Sequence, residues 1–163
     1  MIVIALGANL PSPAGPPRAT LEAALARLVE VEVAVVRRSS WYRTAPVPTS
    51  DQPWFVNGVA VVETARGPEA LLALLLATER AFGRRRGARW AARTLDLDLI
   101  DHHGAVRAGP EPPILPHPRL GERAFVLAPL AEVAPGWRHP LSGLSAAALL
   151  ARLPDPEPIT RLE

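Results

Sequence analysis

Residues 94–100 read TLDLDLI, and the alternation in this run decides how the neighbouring segments can assemble. Successive side chains of an extended strand point to opposite faces. Leu95, Leu97 and Leu99 therefore share one face, and Asp96 and Asp98 share the other. The leucines suit a core. The carboxylates then stand side by side, roughly 7 Å apart at a rise of ~3.3 Å per residue. Like charges so placed repel unless something positive lies near them. Such a pair either occupies a solvated face and pairs with nearby arginines, or offers hard oxygen ligands to a cation such as Mg²⁺, which takes one or two carboxylates together with phosphate oxygens and water. The preceding residues 83–93, GRRRGARWAAR, carry Arg84, Arg85, Arg86, Arg89 and Arg93. Guanidinium forks beside an acid pair are what polyphosphate chemistry uses, arginine on some oxygens and metal on the rest.

Working outward, IVIAL (2–6) is a short apolar run ending at Gly7 and predicts a buried strand. Leu21, Ala24, Leu25, Leu28 and Val29 recur at spacings of three and four, the stripe of an amphipathic helix. VEVAVVRRSSWYRT (31–44) alternates and is rich in β-branched residues, predicting one strand, and FVNGVAVVET (55–64) predicts another. Three prolines make 45–54 a loop. Gly67-Pro68 opens a helix through Phe82 that carries Leu71, Leu75, Thr78 and Glu79. Residues 109–118, GPEPPILPHP, are irregular. ERAFVLAPLAEVAP predicts a short helix ending at Pro135, with Pro129 inside it, and residues 144–153 a closing helix. Residues 154–163 read as an extended tail. The order β-α-β-β-α-β, with extra C-terminal helices, predicts an α+β fold: a ferredoxin-like sandwich with a mainly antiparallel sheet and helices packed on it. The whole chain, 1–163, is expected to form a single domain.

Composition narrows the chemistry. All eighteen basic residues are arginine. Without lysine there is no Walker-type phosphate loop and no imine chemistry. Without cysteine there is no thiolate nucleophile or thiolate metal site. A net charge of +2 gives no broad field for steering onto nucleic acid. LLALLLA (71–77) is far too short to span a membrane. The expectation is a soluble cytoplasmic protein that binds neither nucleic acid nor membrane.

Other residues signal less. His102-His103 reads as a surface turn, because no third ligand stands at zinc spacing. GAN (7–9) is half of a glycine-rich dinucleotide turn and lacks its later glycines. Glu79 borders the apolar stripe of its helix, either as a structural cap or arginine partner or as a nucleotide contact. Phe55 and Asn57 share a strand face, an aromatic beside an amide that suits a flat heterocycle.

Taken in order, IALGANL, SSWYRTAPV, DQPWFVNGVAVVET, RRRGARWAARTLDLDLI and LPHPRLGERAFVLAPLAEVAP closely resemble the 6-hydroxymethyl-7,8-dihydropterin pyrophosphokinase family of folate biosynthesis. The resemblance runs from Ile2 to about Pro140. It implies a monomeric ferredoxin-like enzyme that uses two Mg²⁺ ions to move the β,γ-diphosphoryl unit of ATP onto the hydroxymethyl oxygen of the reduced pterin, releasing AMP. By match, Asp96 and Asp98 hold the metals. Arg84, Arg86 and Arg93 contact phosphates, and Trp90 sits on a loop that closes over them. Glu79, His117 and Arg123 fall on the ATP side. Thr44, Val47 and Asn57 line the pterin pocket, and Phe55 and Phe125 sandwich the ring. No side chain stands out as a general base, so metal coordination of the hydroxyl is the expected source of its acidity.

The chain departs from the family pattern at Pro112 and Ile114, where many members carry an arginine and a threonine that touch ATP, and Arg107 or backbone groups are the candidate substitutes. Ala45 stands where a second proline is common. Two rival readings of the same topology are a different two-metal nucleotidyl enzyme, which would release pyrophosphate, and an RNA-binding module, for which strand 94–101 lacks stacking aromatics.

Overall fold

Strand β1 (Ile2–Ala8) is buried at all seven residues, which a strand can be only where both faces of its sheet are covered. It is flanked by β4 (Phe55–Glu63) and β5 (Asp96–His102), antiparallel to both. The computed structural model describes residues 1–84 and 92–162. Within them the sheet has six strands: β3 (Tyr42–Thr44) and then β6 (Ile159–Arg161) follow β4, giving the order β5-β1-β4-β3-β6, while β2 (Ala34–Arg38) pairs the far half of β4 and β3 the near half. The α+β architecture expected from the sequence is the one observed.

Helices α1 (Pro17–Glu30) and α2 (Pro68–Ala81) cover one face. Each starts with proline at its first position, where the missing N–H and preset φ cost nothing. Leu21, Ala24, Leu25 and Leu28 from α1 and Leu71 and Leu75 from α2 meet Ile2, Ile4, Leu6, Leu95, Leu97 and Leu99 of the sheet. The opposite face carries Val3, Ala5, Val59, Val61 and Ile100, covered by α3 (Ala124–Val133), with α4 (Ala146–Ala151) packed on α3. A short 3₁₀ turn (Leu120–Glu122) leads into α3, which accommodates Pro129 within it.

Several expectations are corrected. The segment 31–44 is two strands, because Ser39–Trp41 leaves the ladder and sinks Trp41 into the first core. The indole lies over Gly58, where a Cβ would come within 2.6 Å of the ring. The closing helix is six residues long, its first turn capped by the Ser145 hydroxyl, which accepts from Ala148 N–H at 3.1 Å. His102 is buried at the end of β5, its Nε2 3.1 Å from the Arg66 carbonyl oxygen, and only His103 lies in the turn that follows. In the tail, Ile159–Arg161 is paired as β6 against β3.

Candidate active site

The alternation that buries Leu95, Leu97 and Leu99 turns Asp96 and Asp98 toward the α3 face. Register then builds a row across three strands. Asp96 lies beside Gly7, and Gly7 beside Asn57. Gly7 is required here: a Cβ at this position would come within 2.3 Å of Asn57 Oδ1. The adjoining hollow is lined by Ala5, Gly7, Asn57, Asp96, Asp98 and Phe125.

Three guanidiniums surround the acids. Arg84 donates to Asp96 Oδ1 at 2.8 Å and also pairs with Glu79. Arg93 donates to Asp96 Oδ2 at 2.8 Å, and Arg123 to Asp98 Oδ2 at 3.2 Å. The acid side chains remain 24% and 29% exposed, so the cluster opens to solvent. Burial, with Asp96 alongside, pushes the Asp98 carboxyl up to about 6 against the pull of Arg123, Arg93 and Arg84. Two hard carboxylates on one face, partly solvated, with room for water and phosphate oxygens, fit a Mg²⁺-type ion.

Glu79 lies behind this cluster and is 4% exposed. Its Oε2 accepts the Leu97 N–H at 2.7 Å in addition to Arg84, which makes it the arginine partner and fastens α2 to β5. Burial raises its carboxyl to about 7, with Asp96 adding to the rise. His117 takes a different place. Its backbone N–H bonds the Ile100 carbonyl, and its Nδ1 accepts from Arg119 N–H at 3.2 Å. Burial, helped by Arg123, holds the imidazole down at about 4, so it is neutral at pH 7 with its proton on Nε2. It stands beside the charge cluster and does not line the cleft described next.

Arg93, Asp96 and Arg123 form one rim of a cleft. Thr44, Val47, Phe55, Asn57 and Phe125, singled out separately in the sequence, all line it. The Asn57 amide donates to Thr44 Oγ1 at 2.6 Å, which sets the amide's orientation at the cleft floor. Phe55 and Phe125 come from β4 and the first turn of α3, so one contributes an aromatic face from the sheet and the other from the helix layer. Arg86 and Trp90 lie outside the described residues. Arg107 does not join the group: its guanidinium pairs with Glu69 at the opposite end of α2, about 15 Å from Glu79 at 1.5 Å per residue.

Sequence reasoning passed over Asn9. This buried amide joins both flanks of the site, donating from Nδ2 to Gln52 Oε1 at 3.1 Å and to the Pro53 carbonyl at 3.0 Å, and accepting the Arg93 N–H at 2.7 Å. The available signal was an amide directly after a seven-residue apolar strand, where solvent or a structural partner must be close.

The carboxylate pair, ringed by guanidiniums, opens onto an apolar slot with an amide floor, an arrangement that suits a polyphosphate set against a flat small molecule. Residues 3–135 match the family described as 7,8-dihydro-6-hydroxymethylpterin-pyrophosphokinase, and the chain belongs to that family. It is 39% identical over 161 residues to the 2-amino-4-hydroxy-6-hydroxymethyldihydropteridine pyrophosphokinase of Methylorubrum extorquens, spanning 98% of this chain and 97% of that one. The similarly named protein of Synechocystis is 40% identical over 93% of this chain and 75% of its own. The mitochondrial folate synthesis bifunctional protein of Arabidopsis thaliana is 41% identical over 81% of this chain and 23% of its own.

Proposed function

We propose that this chain transfers the diphosphoryl group of ATP to 6-hydroxymethyl-7,8-dihydropterin, giving AMP and the pterin diphosphate, as a transferase of folate biosynthesis. The observation that carries the reading is the junction of two dissimilar half-sites. The acid pair with Arg84, Arg93 and Arg123 meets the Thr44–Val47–Phe55–Asn57–Phe125 cleft along one rim.

The pterin is held in the cleft between Phe55 and Phe125, with Asn57 and Thr44 meeting its polar edge, an aromatic sandwich with fixed donors and acceptors. Val47 closes the apolar side. Asp96 and Asp98 hold the divalent cation, two ions in the full reading, which neutralises phosphate charge and lends acidity to the hydroxyl. Arg84, Arg86 and Arg93 grip the phosphate oxygens, Trp90, His117 and Arg123 face the nucleotide, and Glu79 serves the ATP side from behind by holding Arg84. The hydroxymethyl oxygen attacks the β-phosphorus, and the bond from that phosphorus to the oxygen bridging it to the α-phosphate breaks. Positioning and charge neutralisation supply most of the rate for such a transfer. Arg84, Arg93 and Arg123 already stand here bound to carboxylates, and an incoming triphosphate replaces one set of anionic oxygens with another.

The deciding experiment incubates the protein with ATP, Mg²⁺ and the reduced pterin alcohol. AMP and a pterin diphosphate are the expected products. Release of inorganic pyrophosphate or ADP would instead assign the site to a nucleotidyl transferase or a simple kinase.

A further inference from the structure

Residues 157–162 lie beyond the segment that matches the family, yet they are fastened to both walls of the cleft. Thr44 pairs with Ile159 and Tyr42 with Arg161 in the β3–β6 ladder. The Ala45 N–H donates to the Pro158 carbonyl at 3.1 Å, and the Leu162 N–H to the Trp41 carbonyl at 2.8 Å. On the α3 side, Arg161 and Tyr42 both reach the Glu132 carboxylate. The Phe125 N–H donates to Glu157 Oε1 at 2.9 Å. That amide is the second of α3, a position whose N–H has no partner within a helix. The residue that caps the helix from its own chain, Arg123, makes no side-chain cap. A carboxylate supplied from over thirty residues away does so instead, at the residue whose ring lines the cleft.

We propose that Glu157 is a positioning residue for the acceptor pocket. By fixing the Phe125 backbone while the adjoining Pro158 fixes Ala45, it sets the separation between the helix wall and the loop wall of the slot. It touches neither substrate. This rests on the reading of that slot as the pterin pocket. A charge-assisted bond at a helix start is lost when the carboxylate is removed, and the slot then spends part of its time too wide for a flat ring.

The test compares wild type, Glu157→Ala and Glu157→Gln in the ATP–pterin assay, with separate KM values for the two substrates. Glu157→Ala is expected to raise KM for the pterin roughly tenfold, the equivalent of one charged hydrogen bond, with kcat and KM for ATP within about twofold of wild type. Glu157→Gln keeps an acceptor oxygen and is expected to recover most of the loss. An unchanged pterin KM in Glu157→Ala would overturn the proposal. So would equal losses for both substrates, or a lowered melting temperature with intact kinetics, since each marks a merely structural bond. A wild-type protein that makes no AMP overturns the catalytic reading itself and this one with it, whereas normal wild-type turnover with an indifferent Glu157→Ala overturns this one alone.

Discussion

The two faces of the sheet are built from the same strands and do different work. On the α1/α2 face the strands pack into one core with the helices, through Ile2, Ile4 and Leu6 of β1, Leu97 and Leu99 of β5, and Leu95 just ahead of that strand. On the other face α3 covers Val3, Ala5, Val59 and Val61, and at the end of the strands the apolar series gives way to Gly7, Asn57, Asp96 and Asp98. Two glycines mark the contrast. Gly58 makes room for an indole that fills a core, and Gly7 for an amide that floors a cleft. Covering one face completely supplies the rigidity against which the uncovered end of the other can hold charged groups close together.

The contrast breaks most sharply at the acids. Asp98→Ala removes a ligand from the open face and is expected to lower kcat by roughly 10³-fold, with an unchanged circular dichroism spectrum. Near-normal turnover would end the metal assignment. Leu75→Ala, on the closed face, should do the reverse: a loss of about 2–5 kcal/mol of stability in urea unfolding, with KM values unmoved at temperatures where the variant is folded. The glycine pair sharpens the comparison. Gly58→Ala should cost about 1–3 kcal/mol through crowding of Trp41, whereas Gly7→Ala should displace the Asn57 amide and show itself chiefly as a raised pterin KM. If both variants lost stability alone, the functional division between the faces would fail.

The smallest effect is in pH dependence. Glu79 rises from its ordinary 4.5 to about 7 in the folded protein, so between these values the folded state keeps a proton that the unfolded chain has released. That contribution to stability falls as pH rises through the window. Asp98, raised to about 6, acts in the same sense and is spent above that pH. His117, lowered to about 4 from 6.5, acts oppositely, because there the unfolded chain binds the extra proton and stability rises with pH. Between pH 6 and 7 the Glu79 contribution dominates. The wild-type melting temperature should fall gently across that unit, and Glu79→Gln should remove the fall. A slope that survives the substitution would place the titration elsewhere.

What could be read from the sequence was whatever a local period encodes. The TLDLDLI alternation gave the strand, the buried leucines and the outward acids together, and the α1 and α2 stripes gave their buried sides. The five cleft residues were found by their match to a family, and the fold brought them to one place. Hidden from the sequence were features set by partners far along the chain. Trp41 breaks a run that alternates well, because its ring needs the space over Gly58. His102 is buried with its ring against the Arg66 carbonyl, 36 residues back in the chain. Asn9, Glu132 and Glu157 act across gaps of dozens of residues, and nothing in their neighbours announces it. The Arg107–Glu69 pair is of the same kind, joining residues 38 apart in the chain.

The burial of all seven residues of β1 has a measurable consequence for hydrogen–deuterium exchange. Its amides sit between two partner strands under two layers, so they open only with the whole domain and should be the last in the chain to take up deuterium. The rate should climb toward Gly7 and Ala8, at the strand end that borders the acid hollow, and addition of both substrates should slow those two positions while leaving Val3 and Ile4 as they were.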